Sequence, residues 1–183
     1  DKKSLPLSPV VVGFGPSGMF CALALSEMGL NPIVIEQGKD VDSRKNDIEN
    51  FWQNGKLNTT SNVQFGEGGA GTFSDGKLTT NNNSKLNRKI LNEFILAGAP
   101  HEIYYKSKPH IGSDNLPIVV KNIREKIIKN GGQVLFEHKF CGFEQLDDKT
   151  CKVKIQSLKD NSVLNLKTSH LVLAIGHSDF QTF

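Results

Sequence analysis

Six residues near the start of the chain have the spacing of a dinucleotide-binding turn. Glycines recur as G-x-G-x-x-G at Gly13, Gly15 and Gly18, with Pro16 and Ser17 between the last two. In such a turn the first glycine permits a tight bend, the second leaves room for a pyrophosphate, and the third lets a helix pack closely on a strand. The N–H groups that begin the following helix can then bind phosphate oxygens. These residues therefore predict a pyrophosphate site.

Two charged residues downstream of the turn fit the same ligand. Glu36 stands 18 positions after Gly18, where a carboxylate can accept hydrogen bonds from a ribose and would repel a 2′-phosphate. Arg44 follows eight positions later, where a cation could reach the phosphates. The alternatives are a glycine turn that serves packing alone and a solvated surface arginine. The pattern by itself does not separate FAD from NAD.

A long segment over residues 56–83 is rich in Gly, Ser, Thr and Asn and shows little periodicity. Loops of that length inside a compact domain are usually functional or disordered. Backbone with few side chains can lie against a flat ring system and offer N–H groups to it, which favours a flavin contact over a mobile surface loop. The residues predicted to contact the cofactor here are Gly66, Gly68, Gly69, Gly71, Thr72 and Ser74.

The elements that must position these groups begin with a strand, a helix and a second strand over residues 9–37. Residues 9–13 form an apolar run typical of a buried parallel strand, and residues 16–28 form an apolar helix that stops at Gly29. Residues 32–36 complete a unit of about 30 residues, long enough for a right-handed crossover. The predicted fold class is α/β, a Rossmann-like FAD/NAD(P)-binding domain with a central parallel sheet.

Hydrophobic spacing predicts three later helices, over residues 42–54, 84–97 and 116–130. In the first of them Ile48, Phe51 and Trp52 fall on one face and are expected to be buried. Asp114 is the expected N-cap of the last. The apolar stripe of that last helix consists of Leu116, Val120, Ile123 and Ile127.

From residue 133 onward the pattern changes to strands, which predicts a small antiparallel β hairpin or meander over residues 133–170. Its strands are expected over residues 133–136, 138–143, 151–158 and 163–168. A late apolar strand over residues 171–176 then ends in Gly176. Flavoproteins with this kind of βαβ unit commonly carry such a strand beside the nucleotide.

The composition excludes several other classes of protein. The chain has 183 residues, with 22 Lys plus Arg against 19 Asp plus Glu, and no apolar run approaches the roughly 18 residues of a membrane helix. Cys21, Cys141 and Cys151 form neither a disulfide framework nor the close pair of a flavin disulfide reductase, so a cytoplasmic location is expected. Scattered lysines argue against a nucleic-acid partner. No metal-ligand spacing is present in the sequence.

Four segments of the chain share their order and spacing with one known family. They cover residues 11–20, 61–78, 108–114 and 173–178. The most specific stretch runs from Phe65 to Lys77. On these residues the chain resembles the poorly characterised FAD-dependent dehydrogenases, also called NAD(P)/FAD-dependent oxidoreductases. The resemblance implies the glutathione-reductase-type FAD fold, with residues 1–183 as the N-terminal part of a longer chain.

The resemblance also implies roles for individual residues. The glycine turn would hold the pyrophosphate, Glu36 the adenosine ribose and Arg44 a phosphate. The backbone near Lys139 and Phe140 would flank the adenine, and Gly176 would lie against the cofactor.

The implied activity is transfer of hydride or electrons through FAD to an unidentified small-molecule substrate, with NAD(P)H left open as the electron donor. Lys77 is a candidate for stabilising charge on the flavin, and His110 and His177 are candidates for proton donation. An exposed lysine and structural histidines are the alternatives. The alternative functions are an NAD(P)-binding reductase domain and a flavoprotein of tRNA modification.

Overall fold

The computed structural model describes residues 7–80 and 84–176, which form a parallel sheet, an antiparallel sheet and the helices that connect their strands. The elements in chain order are β1 (Val10–Val12), α1 (Pro16–Glu27), β2 (Ile33–Ile35), α2 (Val41–Asn54), α3 (Leu86–Leu96), a 3-10 helix (His101–Tyr104), α4 (Leu116–Lys129), β3 (Gln133–Leu135), β4 (His138–Gln145), β5 (Cys151–Ser157), β6 (Val163–Thr168) and β7 (Leu171–Leu173). None of the described helices is long and apolar enough to cross a membrane.

The parallel sheet has the strand order β3-β2-β1-β7. Val10 of β1 pairs with Ile33 of β2 on one side and with Leu171 of β7 on the other. Helix α1 connects β1 to β2: Pro16 suits its first turn, and Gly29, with a φ of +76°, turns the chain after its end. The predicted α/β fold class and its opening βαβ unit are confirmed.

Two clusters of buried side chains lie on the two faces of the parallel sheet. Val11 belongs to the first cluster, where α1 and α4 pack on the sheet. Val10 and Val12 belong to the second, together with Phe140 and Ile155 of the antiparallel strands. Because successive residues of a strand point to opposite faces, this double burial explains the uninterrupted apolar run of β1. The predicted stripe of α4 is buried at all four positions, Leu116, Val120, Ile123 and Ile127.

The antiparallel sheet has the order β4-β5-β6. The predicted meander over residues 133–170 was wrong for its first strand, because β3 pairs in parallel with β2 and not with β4. Glu137, which has a φ of +57°, turns the chain from β3 into β4. A run of three or four apolar residues predicts a strand but does not reveal which sheet the strand joins.

The buried face of α2 also differs from the prediction. Phe51 and Trp52 were expected to be buried, but they are 38% and 69% exposed. The buried side chains of α2 are those of Val41, Arg44 and Ile48. The helix therefore packs through its first half, and the burial of Arg44 there contradicts the alternative of a solvated surface arginine.

The start of α4 and the chain before it differ from the prediction in detail. The N-cap of α4 is Asn115 and not Asp114, and no side chain accepts a hydrogen bond there. The 3-10 helix before it was not predicted, because a single turn is too short to show hydrophobic periodicity.

Candidate functional site

The carboxyl ends of three parallel strands meet at one edge of the sheet. Gly13 follows β1 and donates its N–H to the carbonyl of Ile35 at 2.8 Å, and Glu36 follows β2. Ala174 follows β7 and donates to the carbonyl of Val12 at 2.8 Å. Ligands of open α/β sheets bind at this edge. The predicted glycine turn, Glu36 and Gly176 follow these three strand ends.

The three glycines of the turn differ in what the surrounding protein requires of them. Gly13 has a φ of +95°, and a β-carbon there would overlap the carbonyl of Ala174. A β-carbon at Gly18 would overlap the carbonyl of Gly13. At Gly15 the φ is −73°, and the protein atom nearest to an added β-carbon is Gly69 Cα at 4.0 Å. Nothing in the described part of the chain requires glycine at position 15, whereas a ligand lying there would.

The helix that follows this turn begins with free amides. Gly15 is the N-cap of α1, no side chain caps it, and its first turn holds no acidic residue. Pro16 and Ser17 are exposed. Helix α2 is different, because Asp40 accepts from two amides of its first turn and Glu67 Oε2 accepts from the N–H of Val41 at 2.6 Å. The positive end of α1 is thus open to an anion, and that of α2 is occupied by carboxylates.

Glu36 is 8% exposed and stabilises the turn through hydrogen bonds to backbone N–H groups. Its Oε2 accepts from the N–H of Phe14 at 2.8 Å, and its Oε1 accepts from the N–H of Gly38 at 2.7 Å. The sequence predicted a ribose contact and did not reveal this stabilising role. Each carboxylate oxygen keeps a second lone pair and can accept a further hydrogen bond. The ribose contact therefore stays a prediction that is compatible with these two bonds.

The residues 66–76, which we name the glycine segment, lie directly against the turn. Gly68 donates its N–H to the carbonyl of Phe14 at 2.8 Å. An added β-carbon at Gly69 would lie 3.3 Å from Gly15 Cα. The structure therefore brings together two glycine-rich stretches that the sequence showed some 50 residues apart. Thr72 is buried and donates to the carbonyl of Glu67 at 3.0 Å, which folds the segment back on itself.

The other predicted residues of the glycine segment have distinct surroundings. Gly66 has a φ of +119° and lies beside the side chain of Arg44. Gly71 has no protein atom within 4 Å of an added β-carbon, and its φ lies outside the left-handed region. Ser74 is exposed, and its hydroxyl donates to the carbonyl of Gly71 at 2.7 Å. Gly71 and Ser74 are thus accessible, whereas Gly66 is enclosed.

Gly38 is a further residue of this region that the sequence did not single out as a contact. An added β-carbon there would lie 2.7 Å from the nitrogen of Gly66 and 2.8 Å from the carbonyl oxygen of Thr60. Gly38→Ala is expected to lower the free energy of unfolding by about 1–3 kcal/mol, because two backbone segments would have to separate. Denaturant unfolding measures it. Gly71→Ala is the matched control, and an equal loss in both variants would contradict the close approach at Gly38.

Arg44 lies under the glycine segment and binds its backbone and the backbone just before it. Its side chain has no exposed surface and lies 5.0 Å from the ring centre of Phe73. The guanidinium donates to three carbonyls, those of Asn62 at 2.7 Å, Glu67 at 2.6 Å and Val63 at 2.8 Å. The predicted phosphate contact stays a prediction. It would require residues 62–67, whose carbonyls bind the guanidinium, to move. Burial lowers the pKa of Arg44 to about 10 against the opposing attraction of nearby carboxylates, so it is charged at neutral pH.

Lys77 and His110, two of the candidates for catalysis, are brought together by a short antiparallel ladder. They form a β-bridge with each other, and Leu78 donates its N–H to the carbonyl of Pro109 at 3.0 Å. Asp75, which the sequence did not single out, lies between them: its Oδ2 is 3.3 Å from Lys77 Nζ and 3.6 Å from His110 Nδ1. The side chains of Asp75 and His110 are about half exposed, and that of Lys77 is 66% exposed.

The remaining predicted residues are placed as follows. The side chain of Phe140 is buried in the second core cluster, and the N–H of His138, at the start of the same strand, donates to the carbonyl of Glu36 at 3.0 Å. Gly176 has a φ of +58°, and no protein atom lies within 4 Å of an added β-carbon. His177 lies outside the described residues.

Sequence comparison gives one uncharacterised relative. No protein-family model matches the chain. An uncharacterized protein of Clostridium beijerinckii (strain ATCC 51743 / NCIMB 8052) is 52% identical over 175 residues, which make up 96% of this chain and 32% of that protein. The chain thus spans about a third of the length of that relative.

Solved structures share the fold at low sequence identity. Thermovibrio ammonificans THI4 matches with a TM-score of 0.61 and 17% identity, over 96% of this chain and 60% of that one. OTEMO in complex with FAD and NADP matches with 0.54 and 15%, over 95% and 26%. Bacillithiol disulfide reductase Bdr from Bacillus cereus matches with 0.51 and 18%, over 97% and 41%. The chain therefore has the α/β fold of these structures, one of which holds FAD and NADP.

Proposed function

We propose that this chain is the FAD-binding domain of an oxidoreductase. The observation that carries the proposal is the open space at Gly15, a glycine that the fold does not require, in front of the uncapped N-terminus of α1. A pyrophosphate needs both features, since its oxygens must approach the backbone closely and accept hydrogen bonds from first-turn amides.

The other contacts of the cofactor are proposed from the same edge of the sheet. Glu36 accepts hydrogen bonds from the adenosine ribose through the lone pairs that its bonds to the turn leave free. The start of β4 lies beside Glu36, which supports the backbone near Phe140 as the flank of the adenine. The accessible parts of the glycine segment and Gly176 lie along the rest of the cofactor. FAD, when bound, supplies the redox chemistry.

The glycine segment favours FAD over NAD as the resident cofactor. It lies on the pyrophosphate turn through Gly68 and Gly69 and continues away from it, so it offers backbone to a second ring system beyond the phosphates. An NAD(P)-binding reductase domain, the alternative, has no need of this segment. The solved complex of OTEMO with FAD and NADP supports NAD(P)H as the electron donor in the proposed reaction.

The direct test is the cofactor content of the purified protein. We expect the flavin absorbance spectrum and release of about one FAD per chain on denaturation. A colourless protein that takes up no added FAD, but changes the fluorescence of NADH on titration, would favour the reductase alternative. Binding of tRNA at low salt would favour the tRNA-modification alternative, for which the scattered lysines provide little support. A dehydrogenase acting on a small molecule in the cytoplasm is the form of the activity that we propose.

Lys77 and His110 are the proposed groups of the substrate side. The ladder that joins them continues from the glycine segment, and Asp75 orients both. His177, the third candidate, is kept as a proposal on its position after β7. In this proposal Lys77 stabilises the negative charge of reduced flavin, and His110 moves a proton to or from the substrate.

Replacement of Lys77 by methionine is expected to lower the two-electron midpoint potential of bound FAD by about 30 mV, which is a factor of about ten in that equilibrium. The reason is the loss of a cation beside the reduced ring. Redox titration of the FAD-loaded protein measures it. Lys106→Met is the matched control, because Lys106 is also an exposed lysine paired with a carboxylate, that of Glu102 at 2.7 Å. Equal potentials in all three proteins would remove Lys77 from the proposed flavin site.

A further inference from the structure

Glu67 is the one residue of the glycine segment whose ionisable side chain lies in the protein interior. Its side chain has no exposed surface. Its backbone N–H donates to the carbonyl of Lys39 at 3.1 Å, and its carbonyl accepts from Arg44 at 2.6 Å and from Thr72 at 3.0 Å. The residue therefore connects the glycine segment to the chain before α2 and to α2 itself.

Only one of the two carboxylate oxygens of Glu67 has hydrogen-bond partners. Oε2 accepts from the N–H of Val41 at 2.6 Å and from Arg124 of α4 at 3.2 Å. Oε1 is buried and has no hydrogen-bond partner. Burying an ionised carboxylate with one unpartnered oxygen is costly, and a proton on the group removes most of that cost.

The charged groups that face Glu67 do not remove this cost. Arg124 on α4 and Arg44 on α2 favour the ionised form, whereas Asp40 and Asp42 at the start of α2 disfavour it. Burial is the largest effect and raises the pKa of Glu67 to about 7. Near neutral pH the group is thus divided between its neutral and its ionised form.

The neighbours of Glu67 in sequence lie on the proposed pyrophosphate site. Gly68 bonds to the carbonyl of Phe14, and Gly69 lies against Gly15 and Pro16. A bound pyrophosphate would bring two negative charges to the turn that Gly68 and Gly69, the next two residues, contact. Like charges in a low-dielectric environment disfavour each other, so bound pyrophosphate and ionised Glu67 oppose one another.

We propose that Glu67 is a positioning residue that couples FAD binding to proton uptake: the domain binds a proton at the Glu67 carboxyl as the pyrophosphate settles on the glycine turn. The neutral side chain then keeps the N–H of Val41 bonded and holds the glycine segment against the cofactor. This inference rests on the proposed FAD function.

Calorimetric titration of the protein with FAD tests the coupling. We expect the Kd for FAD to rise with pH over a window from about pH 6.5 to about pH 8.5. The total rise should be about tenfold for each unit by which bound FAD raises the pKa of Glu67. Titrations in two buffers of different ionisation enthalpy count the protons, and we expect net uptake of a fraction of one proton per FAD. Wild-type protein alone is sufficient for this measurement.

The variant Glu67→Gln keeps an oxygen for the N–H of Val41 and cannot ionise. We expect its Kd to be nearly independent of pH and its proton uptake to be lost. Glu93→Gln is the matched control, since Glu93 is also a buried glutamate but pairs with Lys126 at 2.7 Å, outside the glycine segment. FAD binding with the same pH slope in wild type and Glu67→Gln would overturn the inference and leave the proposed function intact.

The same groups make a prediction for the protein without cofactor. The pKa of Glu67 is higher in the folded protein than in the unfolded chain. The protonated carboxyl therefore contributes stability that is present below about pH 4.3 and is lost as the pH rises through about 7. The folding equilibrium constant of the wild type should therefore fall over this window, and that of Glu67→Gln should fall less. A wild type that binds no FAD at any pH would instead overturn the proposed function, and a stability profile equal in both proteins would overturn the role of Glu67.

Discussion

Gly15→Val is expected to weaken FAD binding by roughly 100-fold or more, which corresponds to about 2.8 kcal/mol or more. The β-carbon and its two methyl groups would occupy the space in front of the first turn of α1, where the pyrophosphate must approach the backbone. The substitution should leave the fold intact, because the φ of −73° suits any residue and the nearest protein atom is 4.0 Å from the added β-carbon. This combination makes position 15 the sharpest test of the site.

Two measurements on this variant separate a ligand effect from a folding effect. The FAD affinity is measured by quenching of flavin fluorescence, and the unfolding midpoint by circular dichroism. Gly15→Ala serves as a graded control, since it adds only the β-carbon and should give a smaller loss of affinity. If Gly15→Val retained one FAD per chain at the wild-type affinity, the pyrophosphate would lie elsewhere.

Arg44→Met is expected to destabilise the protein by about 3–5 kcal/mol, the usual result of removing one partner from a buried charged network. Three carbonyls would lose their donor, and the buried carboxylates of Glu36 and Glu67 would lose a nearby cation. We expect Arg44→Lys to recover little of the loss, because one ammonium group cannot reach three carbonyls that match the fork of a guanidinium.

Denaturant unfolding measures the loss, and Arg88→Met is the control. Arg88 is an exposed arginine of α3, so its replacement should change the free energy of unfolding by less than about 0.5 kcal/mol. A loss at Arg44 no larger than at Arg88 would show that the three hydrogen bonds of Arg44 contribute little. In that case a role in contacting phosphate would become the better explanation of the residue.

The parts of the fold that the sequence predicted are those whose signals are local. The apolar run before Gly13, the helix that stops at Gly29 and the acid at Glu36 together specify strand, helix and strand within about 30 residues. The spacing of glycines then indicates the turn, since each glycine has a separate steric purpose there. These predictions needed no knowledge of distant contacts.

The parts that could not be predicted depend on contacts between distant segments. Gly38 needs to be glycine because Gly66 passes close to it, and this approach is visible only when both segments are placed. Arg44 has the sequence position of a phosphate ligand, but carbonyls of residues 62–67 surround it. Glu67 carried one weak signal, an acid inside a run of glycines. An acid in a run of glycines that packs against a turn cannot be solvated easily, so Glu67 could have been identified as a buried carboxyl group.

The pairing of β1 with β7 has a consequence for synthesis on the ribosome. Val10 of β1 is bonded on one side to β2, which follows within 25 residues, but on the other side to Leu171. At usual elongation rates residue 171 is made roughly ten to thirty seconds after residue 10. Once β1 has left the ribosome, and until β7 is made, its second edge of three valines is unpaired, and such an edge is a template for aggregation. Pairing with β7 removes this edge.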